Sequence, residues 1–180
     1  FTKLWSLPKK SSVAARINAG VVWAYGNSSV APYTEQFFVG GANSIRAFNA
    51  REIGPGKYRS TSRMRSFVEQ TGEIKLQANL EYRPHILGNL YGAVFLDAGN
   101  VWTMKADEGR PESEFKFNSF FRQIALGTGV GLRYDLGFFM IRVDWGIGLH
   151  VPYDTRRSGF YNIDHFKDAQ TLHLAIGLPF

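Results

Sequence analysis

Arg46 is the lone charge in the run Ser44-Ile45-Arg46-Ala47-Phe48, which follows the double glycine Gly40-Gly41. A guanidinium presents a planar fork of donors, and its strongest chemistry is bidentate pairing with a carboxylate. Glu81, Asp97 and Asp144 lie in alternating segments, each on the face that carries the polar residues. Two carboxylates held close together repel unless a cation sits between them, and an arginine suits that place. The chemistry on offer is therefore ionic clamping rather than bond making. His85, His150, His165 and His173 show no metal-ligand spacing, and no Ser/His/Asp arrangement stands out. Gly127-Thr128-Gly129 is not a phosphate loop, because no helical pattern follows it. The sequence predicts no enzyme, no metal and no cofactor.

The elements that must position these side chains read as β-strands. From Ser12 to Gly26, Val13, Ala15, Ile17, Ala19, Val21, Trp23 and Tyr25 share one face, opposed by small and polar residues. Period 2 is the mark of a strand. Gly72 to Arg83 alternates most cleanly, with Ile74, Leu76, Ala78, Leu80 and Tyr82 against Lys75, Gln77, Asn79, Glu81 and Arg83. Further strands are predicted over 90–102, 121–135, 139–150 and 171–180, and Phe1 to Leu7 reads as the tail of an earlier one. In the last strand Leu172, Leu174, Ile176, Leu178 and Phe180 share the apolar face. The stretch 40–71 is a long loop, with a basic run from Lys57 to Arg65.

Length and composition bound the fold. The chain has 180 residues, enough for one domain, with net charge +6, abundant glycine and no cysteine. No run approaches the roughly 18 apolar residues of a membrane-spanning helix. A soluble all-β domain and a membrane β-barrel remain. The absence of cysteine rules out a disulfide scaffold. The basic balance points to no nucleic acid, because no aromatic-interleaved basic stripe accompanies it. The opening at Phe1, without a leader, reads as a mature or excised segment.

Connection lengths separate the two folds. They run short (8–11), long (27–71), short (84–89), long (103–119), short (136–137) and long (151–169). This rhythm places every long loop at one end of antiparallel strands, as outer-membrane barrels do. Trp23, Tyr25, Tyr82 and Tyr134 fall near strand ends, where interfacial girdles belong. The predicted fold is all-β, an antiparallel transmembrane barrel portion of about six to seven strands.

Strand parity turns Glu81, Asp97 and Asp144 toward the lumen. Glu81 and Asp97 flank the same short turn and are expected to be cross-strand neighbours at similar depth. Arg46 then has two readings: a loop folded inward to meet these acids, or a solvated loop beside a wet pore. Gly127, Gly129, Gly131, Gly146 and Gly148 share the lumenal parity of two adjacent strands. They either leave room for an entering backbone or permit curvature.

At these residues the chain resembles the C-terminal barrel of the Omp85 superfamily, the outer-membrane assembly and translocation proteins of the BamA/TamA type (bacterial surface antigen family). The resemblance rests on Phe37-Phe38-Val39-Gly40-Gly41, then Ser44-Ile45-Arg46-Ala47-Phe48, then Gly54-Pro55, in the manner of the family's sixth extracellular loop. Phe95-Leu96-Asp97-Ala98-Gly99 is similar to its strand motif, Leu80-Glu81 to its acidic position, and the strand ending in Phe180 to the outer-membrane β-signal. Ala47 departs from the pattern, standing where the family has glycine.

The resemblance implies that residues 1–180 are roughly the last six strands of a sixteen-stranded barrel, whose earlier strands and periplasmic POTRA repeats lie elsewhere. It implies that Arg46 reaches into the lumen to Glu81 and Asp97. It further implies a Gram-negative outer-membrane protein that folds and inserts clients through a lateral seam, formed on this side by Thr171 to Phe180. Its partners would be outer-membrane lipids, unfolded client outer-membrane proteins and accessory assembly subunits. A two-partner secretion transporter of the same superfamily and a passive porin-like barrel are the competing functions.

Overall fold

The computed structural model describes residues 1–26, 30–61 and 68–180. Asn27–Ser29 of one turn, and positions 62–67 with the end of the basic run, lie outside the described residues. The strands are β1 (Thr2–Ser6), β2 (Ser12–Val21), β3 (Ile74–Arg83), β4 (His85–Leu87), β5 (Leu90–Trp102), β6 (Ala125–Asp135), β7 (Met140–His150) and β8 (Gln170–Ile176). They form one antiparallel sheet in the order β1-β2-β3-β5-β6-β7-β8, with the short β4 pairing β5. Apart from β4, each neighbour in this meander follows its partner in sequence, and β1 and β8 stand at the two ends of the order among the described residues.

The sheet is inverted relative to a water-soluble one. On the concave face Gln77, Asn79, Glu81, Asp97, Arg133, Arg142 and Asp144 are all buried. On the convex face Leu80, Val94, Leu96, Val130, Leu132 and Leu172 are exposed. Apolar side chains outward and polar side chains inward is the pattern of a strand wall facing lipid. The buried apolar cluster is supplied mainly by the long loop: Val39, Ile45, Ala47, Phe48 and Ile53 pack on Val101, Ala125 and Val151. The loop thus lies inside the curve of the sheet.

Four local readings are corrected. The strand predicted to Gly26 stops at Val21, leaving Trp23 and Tyr25 beyond it. The reason is competition: Gly72 exchanges both backbone hydrogen bonds with Phe37, at 2.8 and 2.9 Å, so β2 finds no ladder partner there. Phe120–Gln123 is a 3-10 turn rather than the start of β6. Gln123 at the end of this turn points inward and accepts from Trp102 Nε1 at 2.6 Å. The connection 84–89 contains β4, and only Gly88-Asn89 turns.

The fourth correction concerns the C-terminal segment. Beyond Ile176 the chain leaves the ladder at Gly177, whose φ of +85° suits glycine. Pro179 then offers no N–H to resume pairing. Phe180, expected on the apolar outward face, turns inward instead. Its ring lies 4.8 Å from the Arg16 guanidinium carbon and 5.6 Å from that of Arg83.

Candidate functional site: an arginine clamp in the lumen

The loop enters the lumen at Gly40, whose φ of +93° and contact with the Asn49 carbonyl leave no space for a Cβ. Ser44 is held by Gln77, its hydroxyl 3.0 Å from Oε1, and the Ser44 carbonyl accepts from Asn79 Nδ2 at 2.8 Å. Ile45 and Phe48 bury into the apolar cluster on either side of Arg46. Two anchors of opposite character therefore fix one arginine between them. Downstream, the cis Gly54-Pro55 unit is held by Gln70, whose Nε2 donates to the Gly54 carbonyl at 3.1 Å.

Arg46 is fully buried, and its side chain hydrogen-bonds to β3 and β5. Its main-chain N–H donates to Asp97 Oδ2 at 3.0 Å, its Nε to the same oxygen at 2.8 Å, and its Nη2 to Oδ1 at 2.9 Å. Nη1 donates to Glu81 Oε2. The Phe95 ring lies flat against the guanidinium, 3.7 Å from centroid to carbon. Burial works against the charge, but Asp97 and then Glu81 hold the Arg46 pKa above its ordinary value. Gly99, which shares the strand with Phe95, lets β5 press close to the Leu76 carbonyl of β3.

Glu81 and Asp97 are not directly opposite. The register pairs Glu81 with Phe95 and Asp97 with Asn79, so the two acids are diagonal neighbours on one face. Between the two acids and the turn, β4 pairs with β5 and its register slips between His85 and Leu87. The offset is what the fork needs: one carboxylate faces its Nε edge and the other its Nη1 tip.

Asp144, the third acid, belongs mainly to other arginines. Its Oδ1 lies 2.6 Å from Arg133 Nη2 and 4.0 Å from Arg46 Nη1, and its Oδ2 accepts from Arg142 Nη1 at 2.8 Å. Arg83 Nε donates to Glu81 Oε1 at 2.7 Å, and Arg133 Nη2 to Oε2 at 3.2 Å. Arg142 also holds the loop itself, through the Ala42 carbonyl at 2.9 Å and Asn43 Oδ1. In the sequence, Arg83, Arg133 and Arg142 alternate in step with the lumenal acids of their strands, but nothing there gives them a part. The signal was there: a buried arginine must find a carboxylate or carbonyl.

Three lumenal glycines make room for the loop. A Cβ on Gly146 would collide with the Arg46 carbonyl, and one on Gly127 with the Cβ of Ala47. A Cβ on Gly148 would crowd the Phe48 ring. Ala47 takes no positive φ, so alanine is accommodated there without backbone strain. On the outer part of the loop, Lys57 Nζ pairs with Glu112 at 3.3 Å and Arg59 covers the Tyr153 ring at 4.4 Å. Among the described residues no group of three histidine, cysteine or carboxylate side chains could hold a metal ion.

Comparison with known proteins places this geometry. The Omp85 superfamily domain matches residues 1–178. Among solved structures, the crystal structure of BamA from Haemophilus ducreyi lacking POTRA domains 1-3 matches with a TM-score of 0.63 and 19% sequence identity. The match covers 97% of this chain and 34% of that one, so the chain spans about a third of its length.

Proposed function

The chain belongs to the Omp85 superfamily, and from that premise we propose that the polypeptide carrying it folds and inserts client β-barrel proteins in the Gram-negative outer membrane. It does so in the BamA/TamA manner, by strand pairing at a lateral seam and without covalent chemistry. The observation that carries this reading is the apolar outer face of the sheet, on which β8, the strand that the family places at the seam, turns Leu172, Leu174 and Ile176 outward. A strand at that seam can pair with an incoming client strand by β-augmentation. The clamped loop supports the same reading from the other side, because it keeps the lumen filled while the wall is worked at its edge. Arg46, Glu81 and Asp97 lock the loop and do not touch the client. Outer-membrane lipids face the apolar wall, and accessory subunits attend the periplasmic parts.

The test is reconstitution of the intact polypeptide in liposomes with an unfolded outer-membrane client. The expected result is faster appearance of the client's heat-modifiable, protease-resistant form, slowed several-fold by Arg46→Ala. A protein that conducts ions or exports one polypeptide but leaves client folding at the rate of empty liposomes is a porin or a secretion transporter instead.

A further inference from the structure

We propose that Thr171 and His173 tether the terminal strand to the inward-folded loop through the main-chain carbonyl of Arg46, so that the seat of the loop sets how readily β8 leaves the sheet. The proposal deepens the seam reading above and rests on it for its biological consequence. The Arg46 carbonyl accepts from Thr171 Oγ1 at 2.5 Å and from His173 Nε2 at 3.1 Å. Two donors satisfy both lone pairs of a carbonyl buried away from water. The side chain of Arg46 is committed to β3 and β5, and its main-chain N–H to Asp97 on β5. One residue of the loop thus spans the lumen, gripping β5 with its N–H and β8 with its C=O.

Among the described residues, β8 is held by this bridge and by its ladder with β7, over Gln170–Ile176. Leu172, Leu174 and Ile176 point away from the protein and are about three-quarters exposed, at 73%, 76% and 73%. Its lumenal side chains within the ladder are Thr171, His173 and Ala175, and alanine has nothing to bond with. The two polar side chains that β8 turns inward both end on the same loop carbonyl. The path to that carbonyl crosses β7 at Gly146, the register partner of Thr171, where any Cβ would block it. Thr171 and His173 are positioning residues in this scheme, acting on the seam through the loop.

Hydrogen exchange read by mass spectrometry on the intact polypeptide in lipid nanodiscs tests the tether. Thr171→Val keeps the shape and removes the donor, and the amides of Thr171 to Ala175 then exchange about tenfold faster. Thr171→Ser keeps the donor and the wild-type rate. In an Arg46→Ala background, where the loop has lost its side-chain clamp, β8 already exchanges fast and Thr171→Val adds nothing. Unchanged β8 exchange in Thr171→Val overturns the tether. Full additivity with Arg46→Ala overturns it too, since Thr171 would then act on β8 independently of the loop. The measurement needs no client: a wild type that fails to insert clients refutes the proposed function, whereas only the exchange pattern refutes the tether.

Discussion

The main-chain N–H of Arg46 and its guanidinium Nε converge on one oxygen, Asp97 Oδ2, at 3.0 and 2.8 Å. Backbone and side chain of the same residue are thereby fixed to a single carboxylate. The loop's path and the arginine's aim are one constraint rather than two.

That convergence ranks the two acids. Asp97→Ala removes every hydrogen bond from Arg46 to β5, main chain included, while Glu81→Ala removes one bond from Arg46 and one each from Arg83 and Arg133. Breaking a buried ion pair by deleting one partner costs about 3–5 kcal/mol. Asp97→Ala is expected to release the loop to protease while leaving the sheet folded. Glu81→Ala is expected to lower the temperature at which heat-modifiable gel mobility is lost, with less effect on loop cleavage. Equal effects of both variants on both readouts would contradict the division.

Gly127→Ala is expected to destabilise by about 1–3 kcal/mol, the usual cost of overpacking a filled site. The added methyl meets the Cβ of Ala47 across the lumen. Ala47→Gly in the same chain vacates that space and should recover most of the loss. A thermal double-mutant cycle measures it, and additive effects would mean the glycine serves curvature alone.

Ala47→Gly by itself restores the glycine of the resembled motif, yet stability should fall by about 0.5–1 kcal/mol. Ala47 is buried and takes no positive φ, so glycine contributes only chain entropy to the unfolded state. A raised melting temperature would show that the motif's glycine is needed for conformation.

Asp107, in the loop after β5, accepts from Arg110 Nε at 2.7 Å, and Arg110 in turn holds the Thr71 carbonyl at 2.9 Å. The hydrogen bond from Arg110 holds the Asp107 pKa below its ordinary value. A lowered carboxylate pKa gives stability that is present above the unfolded value and lost as pH falls through the folded one. Proteolysis of this loop should therefore quicken as pH drops below about 4, and Asp107→Asn should quicken it at neutral pH and flatten the dependence. The partial exposure of the pair keeps the effect small.

Much of the wall was legible in the sequence because period 2 is written directly in residue order. The inward parity of Glu81, Asp97, Asp144 and the glycines needed nothing more. The inward course of the loop was not legible from parity, which leaves a loop arginine free to face lumen or solvent; the family resemblance chose. Three features escaped for physical reasons. The diagonal offset of Glu81 and Asp97 is a matter of register, and the hairpin between them holds β4, a three-residue strand too short for periodicity to reveal. Phe180 turns inward because of one residue, Gly177, whose conformation the apolar alternation around it conceals. The grip of Thr171 and His173 on Arg46 joins positions 125 and 127 residues apart, a separation that no local pattern encodes.

That separation also orders events during synthesis. The loop is made before Glu81, Asp97, Asp144, Thr171 and His173 exist, so Arg46 has none of its partners when it first leaves the ribosome. Contacts so distant along the chain form slowly, since loop closure must be met before they give anything back. The apolar cluster of this segment is made by the same loop and waits with it. A chain that folds in the order it is made would thus keep this loop unseated at least until β5 brings Asp97 to Arg46.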